Sequence, residues 1–266
     1  MTKISYPATV EAALARLTDA GEEAYLVGGS LRDALLGLPA HDFDIATSAL
    51  PEKTLAIFSD ERVIETGLQH GTVTVILSGE PIEITTFRRD GDYTDGRHPD
   101  TVSFTDRITE DLSRRDFTVN AMAYHPDRGL VDPFGGQDDL ASRTLRAVRE
   151  PTLRFSEDAL RILRAFRFAA QLGFKIEEET RNALRSEAYR LKNISRERIS
   201  SEFCRLVAAK GAHSVLKMLE SIELSIDDFD KTYSKEKQSE AIRYAKYLKD
   251  RYTVLWLYYD LFGEQI

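Results

Sequence analysis

Cysteine is almost absent from this sequence, because the 266 residues include a single one, Cys204. One cysteine cannot form a disulfide within the chain, and the cysteine and histidine residues lack the spacing of a zinc site. The sequence therefore excludes disulfide-framed secreted proteins and zinc-finger modules.

Long apolar runs are absent as well. No run approaches the roughly 20 residues that a membrane-spanning helix needs. The first residues are polar and lack the apolar centre of a secretory signal peptide. We therefore expect a cytoplasmic protein that is not inserted in a membrane.

An excess of positive charge is also missing, since 36 Lys and Arg face 44 Asp and Glu and give a net charge of −8. Such a chain is not expected to coat nucleic acid non-specifically, although a local basic face can still bind a phosphate backbone. Hydrophobic residues make up 42% of the chain and charged residues 30%, a balance typical of globular proteins with a real core.

The pattern of the chain changes near residue 140. Before it, short β-type runs alternate with helical runs, and residues 73–87 read as strand, turn and strand. After it, amphipathic helices are predicted over residues 156–172, 177–191 and 195–209, and the remainder also reads as helical. The sequence predicts an α+β fold, with a small mixed or antiparallel sheet and helices first and helices alone afterwards.

Three carboxylates are candidates for a metal site. Asp42 and Asp44 are two apart in a predicted strand, so both side chains leave the same face. Glu83 lies on a neighbouring predicted strand, and pairing of the strands would bring all three together. Hard divalent ions such as Mg²⁺ bind carboxylates together with substrate phosphates. The alternative is that Asp42 and Asp44 mark a solvated strand end.

A glycine pair precedes these carboxylates, in the segment GGSLRD at residues 28–33. Gly28 and Gly29 follow a predicted strand and open a predicted helix, whose N-terminal N–H groups can bind an anion. Arg32 can donate two hydrogen bonds to a phosphate. The segment matches neither a Walker loop nor a dinucleotide fingerprint. The alternative is a tight turn with a surface arginine.

Residues 26–37 and 42–47 (LVGGSLRDALLG and DFDIAT) resemble the opening motif of class II tRNA nucleotidyltransferases, the CCA-adding enzymes of the polymerase-β nucleotidyltransferase superfamily. Four later segments agree in family order. They resemble the ribose-contacting motif (residues 114–123), the hinge motif (132–136), the nucleotide-base template motif (157–161) and the neck-closing helix motif (194–203).

The resemblance implies a nucleotidyltransferase head over residues 1–140, an all-helical neck over 141–210 and a partial helical body over 211–266. It implies addition of C, C and A to the 3′ end of tRNA from CTP and ATP, with Mg²⁺ and without a nucleic-acid template. Alternatives are a relative that adds only C, only A or poly(A), and an RNA-binding module without turnover.

The resemblance also implies roles for individual residues. Asp42 and Asp44 would bind the metal and, with Glu83, form the catalytic set. The nucleotide-binding residues would be Gly28, Gly29, Arg32, Arg115, Asp116, Asn120, Glu157, Asp158, Arg161 and Arg164.

Asp158 and Arg161 suggest how two bases could be selected. On one continuous helix, Glu157, Asp158 and Arg161 would share a face. A carboxylate that accepts from an exocyclic amine, beside a guanidinium that donates to a ring nitrogen, fits both cytosine and adenine. Guanine and uracil reverse this order, and each unpaired buried polar group costs roughly 1–3 kcal/mol. The alternative is an ordinary acid–arginine pair at a helix start.

Two further segments bear on the RNA. Residues 143–167 contain seven arginines (at positions 143, 146, 149, 154, 161, 164 and 167), which could contact phosphates or could simply lie on a solvated helix face. Residues 88–99 correspond to the flexible loop that relatives use to switch from C to A addition. Its full length, and the lack of a basic and aromatic run at residues 66–72, favour CCA addition.

Overall fold

The computed structural model describes residues 4–91, 93, 101–212 and 215. The chain divides into two compact units, Met1–Glu157 and Asp158–Ile266. Each unit is described by itself below. The predicted helices beyond residue 215 lie outside the described residues.

The first unit contains both strands and helices. In chain order they are α1 (Ala8–Asp19), β1 (Ala24–Val27), α2 (Gly28–Leu35), β2 (Asp44–Thr47), α3 (Pro51–Ile57), β3 (Arg62–Ile64), β4 (Thr72–Leu77), β5 (Glu80–Thr86), β6 (Arg88–Asp90), β7 (Val102–Phe104), α4 (Ile108–Ser113), β8 (Ala123–His125), β9 (Gly129–Val131), α5 (Gly136–Ala141), β10 (Thr144–Leu145) and α6 (Pro151–Glu157). Short 3₁₀ turns cover Leu68–His70 and Thr118–Asn120.

A mixed sheet organises this unit, with the strand order β3-β4-β5-β2-β1-β8-β9. The pair β2–β5 is parallel, and the other neighbouring strands in the sheet are antiparallel. Strands β6 and β7 form a separate antiparallel hairpin. The predicted α+β class with a mixed sheet is confirmed.

The predicted strand–turn–strand over residues 73–87 is confirmed as the hairpin of β4 and β5. Burial alternates along β4, as expected for a strand with one face on a core. Ser78 and Gly79 connect the strands with φ of 51° and 87°. Positive φ at both central residues is typical of the two-residue turns that match the twist of paired strands.

The core of the first unit lies between the sheet and its helices. Phe58, Phe87, Phe117 and Phe155 are fully buried there. Phe87, which directly follows β5, packs in one cluster with residues of β1, α4 and β8. Because the strand ends that carry the candidate residues are anchored in this core, their backbone positions are fixed by packing.

The second unit, as far as it is described, contains α7 (Leu160–Leu172), β11 (Lys175–Ile176), α8 (Glu178–Glu187), a 3₁₀ turn over Ala188–Asn193 and α9 (Arg196–Val207). Gly173 ends α7 with a φ of 67°, as predicted. Helices α7 and α9 pack together, and Arg167 Nε donates to Glu202 Oε2 at 2.6 Å between them. Both side chains of this ion pair are buried.

The prediction of one helix over residues 156–172 is wrong, because α6 ends at Glu157 and α7 begins at Leu160. Asp158 Oδ1 accepts a hydrogen bond from the backbone N–H of Leu160 at 3.1 Å. A carboxylate that accepts from a first-turn N–H begins a helix. The i, i+3 and i, i+4 spacing continues across this break, so the spacing alone did not reveal it.

None of the helices described here is both long enough and apolar enough to cross a bilayer.

Candidate active site

The glycine pair forms the junction between β1 and α2. Val27, the last residue of β1, is extended, and Gly28 begins α2 with a φ of 77°. This left-handed value favours glycine, because a Cβ atom would be strained there. A Cβ at Gly28 would also lie 3.4 Å from both Arg115 Nη1 and Asp44 Oδ2. Gly28 therefore has a backbone conformation that favours glycine, and a Cβ atom there would be in contact with two charged groups.

Sheet pairing fixes two of the three candidate carboxylates beside this junction. Asp44, the first residue of β2, pairs with Val27 on one side and with Glu83 of β5 on the other. Residues directly opposite each other on neighbouring strands place their side chains on the same face. Asp44 and Glu83 thus project from one face of the sheet, next to the start of α2.

Asp42 differs from the prediction. It lies before β2 instead of within it, and its φ is 53°. The strand begins at Asp44 because Val27, its first partner, is the last residue of β1 before the chain turns into α2. Aspartate adopts left-handed backbone more readily than most residues. Asp42 is exposed, yet it is close enough for its charge to act on Asp44.

Asp44 has the most informative electrostatics of this group. Burial and then the neighbouring Glu83 carboxylate raise the pKa of Asp44 from its ordinary 3.8 to about 6. Arg115 opposes this rise, and Asp42 adds to it. Asp44 is therefore mostly ionised at neutral pH, but its charge is unfavourable without a cation.

The donor set fits a magnesium ion that shares its ligands with a substrate. Within the described residues, no group of three or more His, Cys, Asp or Glu side chains is arranged as a metal site. Mg²⁺ is commonly held by only one or two carboxylates, with water and substrate phosphates completing its coordination. Asp42 and Asp44 supply two such carboxylates. Burial, and then the Glu83 carboxylate, raise the pKa of Asp44, and a bound cation would stabilise its ionised form.

A buried hydrogen-bond network connects α2 to the segment of residues 114–123. Arg32 Nη1 donates to Asn120 Oδ1 at 2.8 Å, and Asn120 Nδ2 donates to Asp116 Oδ1 at 3.1 Å. Arg32 Nε also donates to Asp33 Oδ1 at 2.8 Å. The three residues Arg32, Asp116 and Asn120 are each 7% exposed. The structure thus brings together the predicted phosphate-binding and ribose-binding residues, while their roles stay predictions.

Arg115 lies on the same side of Gly28 as the Asp44 carboxylate, since one Cβ atom at Gly28 would contact both Arg115 Nη1 and Asp44 Oδ2. Its Nη2 donates to Asp111 Oδ2 at 3.2 Å. Its Nε is buried and has no hydrogen-bond partner within the described part of the chain. Arg115 is therefore held by α4 and presents its guanidinium to the space next to Asp44.

In the second unit, Asp158 and Arg161 lie at the start of α7, where Arg161 N–H donates to Asp158 O at 3.0 Å. Asp158 Oδ2 accepts from Arg198 Nη2 of α9 at 3.0 Å. Arg164 lies over the Phe168 ring, 5.3 Å from its centroid. Asp158 is thus positioned by α9 and by the helix start together.

Glu157 is not on the same helix as Arg161, contrary to the prediction of one shared face. It ends α6 in the first unit, where its carboxylate forms an ion pair with Arg154. The break at Asp158 described above is the physical reason. Its proposed role at the nucleotide stays a prediction.

Several of the seven arginines between residues 143 and 167 are committed to internal contacts. Arg146 pairs with Asp139, Arg154 with Glu157 and Arg167 with Glu202. For these three arginines, the internal ion pairs are enough to explain their presence without a contact to RNA. The predicted loop over residues 88–99 lies largely outside the described residues, which include 88–91 and 93 of it.

Sequence reasoning missed two residues that hold the predicted ones in place. Asp111 binds both Arg114 and Arg115, and its only signal in the sequence is the i, i+3 and i, i+4 spacing to them. Arg198 binds Asp158 from a distance of 40 residues along the chain. It lies within the segment 194–203, but nothing in that pattern indicates its partner.

Comparison with known proteins agrees with this geometry. Residues 24–146 match the family model described as "Poly A polymerase head domain". Residues 173–225 match the model described as "Probable RNA and SrmB-binding site of polymerase A".

Individual relatives carry a more specific name. A CCA-adding enzyme of Leuconostoc citreum is 49% identical over 205 residues, covering 77% of this chain and 50% of the relative. The solved structure of a Bacillus stearothermophilus CCA-adding enzyme in complex with CTP matches with a TM-score of 0.74 and 42% identity, covering 81% of this chain and 52% of the other.

A Thermotoga maritima CCA-adding enzyme complexed with tRNA_CCA matches with a TM-score of 0.73 and 26% identity, covering 94% of this chain and 60% of the other. The chain spans about half the length of the curated relatives it matches, between 48% and 61% of each.

Proposed function

We propose that the chain, whose residues 24–146 match the poly A polymerase head domain, is a nucleotidyltransferase that adds C, C and A to the 3′ end of tRNA from CTP and ATP. The order of addition is determined by the protein without a nucleic-acid template. The observation that carries the proposal is Asp44, which lies in register with Glu83 and beside Gly28 and Arg115.

In the proposed reaction, the terminal hydroxyl oxygen of the RNA attacks the α-phosphorus of the nucleotide. A bond forms between them, the bond from the α-phosphorus to the bridging oxygen breaks, and pyrophosphate leaves. The proton of the hydroxyl is released to solvent water in the same step. No covalent intermediate with the protein is needed.

The family generally uses a divalent metal ion, and we propose that Asp42 and Asp44 bind Mg²⁺, with Glu83 as the third carboxylate of the catalytic set. When bound, this ion would lower the pKa of the attacking hydroxyl and neutralise the charge that develops on the phosphate oxygens.

The other proposed roles belong to the protein itself. N–H groups at the start of α2 bind the triphosphate, since Gly28 lets the backbone approach it closely. Arg32, fixed by Asn120 and Asp33, keeps a positive charge next to that helix end. Arg115 and Asp116 orient the sugar.

Base selection is proposed for the second unit. Asp158 accepts from the exocyclic amine, and Arg161 donates to the ring nitrogen, of cytosine or adenine. Arg198 fixes the Asp158 carboxylate for this task. Glu157, in the first unit, and Arg164, in the second, are proposed to bind the nucleotide, as the resemblance implies. We propose that the reaction takes place in the cytoplasm, where an exposed lone thiol such as Cys204 stays reduced.

The test is an extension assay on tRNA that ends at the discriminator base. Each labelled nucleotide is offered separately and then together, and the products are resolved at single-nucleotide length. We expect one or two C residues from CTP alone and three added residues from CTP with ATP. Arrest after CC, addition of A alone, a long A tail, or binding of tRNA without extension would each contradict complete CCA addition.

A further inference from the structure

Asp111, on α4, is a buried carboxylate outside the catalytic set that joins two parts of the first unit. It is 1% exposed. Its Oδ1 accepts from Arg114 Nε at 3.0 Å and from Arg114 Nη2 at 2.7 Å, and its Oδ2 accepts from Arg115 Nη2 at 3.2 Å. Burial raises the pKa of Asp111, but the two arginines outweigh it and hold the pKa below its ordinary value. Asp111 is therefore a stable anion shared by two guanidinium groups.

On one side, Asp111 is connected to the hairpin of β6 and β7. The backbone N–H of Arg88, in β6, donates to Asp111 Oδ1 at 3.3 Å. Arg114 Nη1 lies 3.8 Å from Asp90 Oδ2, at the end of β6. Tyr93 donates its hydroxyl to the same Asp90 oxygen at 2.7 Å. The hairpin thus contacts Asp111 directly through the backbone of Arg88 and indirectly through Arg114.

On the other side, Asp111 is connected to the catalytic carboxylate through Arg115. Arg115 Nη1 lies against Gly28, as Asp44 Oδ2 does, and the charge of Arg115 acts on Asp44. Asp111 is buried on α4 and accepts a hydrogen bond from Arg115. A shift of its carboxylate would therefore also shift the Arg115 guanidinium. Among the described residues, the neighbouring Glu110 has no such connection to Arg115.

That adjacent residue, Glu110, provides a matched comparison. Glu110 also binds the hairpin, through Arg89 Nε at 2.6 Å and through the hydroxyl of Thr105. It is less buried than Asp111, and its ion pair with Arg89 is exposed. It makes no hydrogen bond or ion pair to Arg115 in the described residues. Glu110 therefore fixes the hairpin to α4 without reaching the site.

We propose that Asp111 is a positioning residue that couples the seating of the β6–β7 hairpin to the orientation of Arg115 at the nucleotide. The inference rests on the proposed function, in which Arg115 contacts the sugar of the nucleotide. The hairpin would influence ribose recognition through successive contacts. These run from Asp90 to Arg114, then to Asp111, and then to Arg115.

The test compares D111N with E110Q in the full chain. Binding of CTP and of 2′-deoxyCTP is measured by isothermal titration calorimetry, which needs no turnover, and folding is checked by thermal denaturation. We expect D111N to lower the preference for CTP over 2′-deoxyCTP by about tenfold, comparable to the effect of removing a residue that orients a metal ligand. E110Q should change this preference by less than about twofold. Equal preferences in the two folded variants would overturn the proposal.

A double-mutant cycle decides the matter if D111N does not fold. It combines D90N with R115K and leaves Asp111 in place. The proposal predicts that D90N lowers the ribose preference in the wild-type background but has no further effect in the R115K background. Additive effects would overturn it. Failure of the tRNA extension assay would instead contradict the proposed function, because these binding measurements do not depend on extension.

Discussion

Asp44 and Glu83 are direct partners on the two parallel neighbouring strands β2 and β5, and burial beside Glu83 raises the pKa of Asp44 to about 6. Two carboxylates are thereby held together by backbone pairing, at a place where their charge is unfavourable for the folded protein alone. Such an arrangement is expected where a bound cation compensates the cost.

The first prediction concerns the stability of the metal-free protein. Replacing Asp44 by Asn removes a charge that folding disfavours, so D44N should unfold at a higher temperature than wild type in the presence of a chelator. The gain should be on the order of 1–3 kcal/mol at neutral pH. D44N should also abolish nucleotide addition. D42N, at an exposed position, should reduce addition without this gain, and a D44N variant that is less stable than wild type would contradict the account.

The second prediction concerns how the stability difference between D44N and wild type depends on pH. The folded pKa of Asp44 is raised, so its favourable contribution is fully present below about 3.8 and is lost as the pH rises through about 6. D44N and wild type should therefore be almost equally stable near pH 4 and differ fully above pH 7. Urea unfolding at several pH values measures this, and a difference that does not grow with pH would exclude the assigned pKa shift.

The third prediction separates the effect of backbone strain at Gly28 from the effect of its contacts with Arg115 and Asp44. Gly28 and Gly37 both have positive φ, but a Cβ at Gly37 would meet nothing within 4 Å. Both G28A and G37A should lose roughly 1–2 kcal/mol of stability. Only G28A should also lose activity, by about tenfold or more in kcat/KM for CTP, because its methyl group would lie against Arg115 and Asp44. Equal activity of the two variants would show that the space at Gly28 is not needed.

The fourth prediction concerns base selection in the second unit. R161A should lower the preference for CTP over UTP by about tenfold or more, because the donor to the ring nitrogen is lost. R185A, an exposed arginine on α8, serves as the control and should leave the preference unchanged. The measurement is single-turnover incorporation of each nucleotide on the same tRNA. Unaltered selectivity in R161A would remove Arg161 from this role.

The fifth prediction tests the buried ion pair of the second unit. E202Q removes the carboxylate that pairs with the buried Arg167 between α7 and α9, which should cost about 3–5 kcal/mol of stability. E197Q changes an exposed carboxylate on the same helix and should cost less than about 0.5 kcal/mol. Urea unfolding followed by circular dichroism compares them, and similar midpoints would mean that the pair does not stabilise the packing of α7 on α9.

Much of the first unit could be predicted because its signals are local. The alternation in β4 and β5, the turn at Ser78 and Gly79, and the glycine pair after β1 all indicate structure within a few residues. The closeness of Asp44 and Glu83 also followed from their placement on neighbouring strands, and the structure places them in register.

What the sequence did not reveal depends on contacts between distant residues. Asp158 reads as a helix residue by spacing, and the structure shows instead that it precedes a new helix, whose Leu160 N–H donates to its carboxylate. Asp42 reads as part of a strand, but β1 ends before it could supply a partner. The spacing of Asp111 to Arg114 and Arg115 is its only signal in the sequence, and its contact with the hairpin is visible only in the structure.

The most direct test of the central claim is a crystal structure of the full chain with CTP and magnesium bound. We predict an ion between Asp42 and Asp44, and triphosphate oxygens accepting hydrogen bonds from the backbone at Gly28 and Gly29. The claim is contradicted if Asp42 and Asp44 point apart with no ion between them and the triphosphate lies away from the glycine pair.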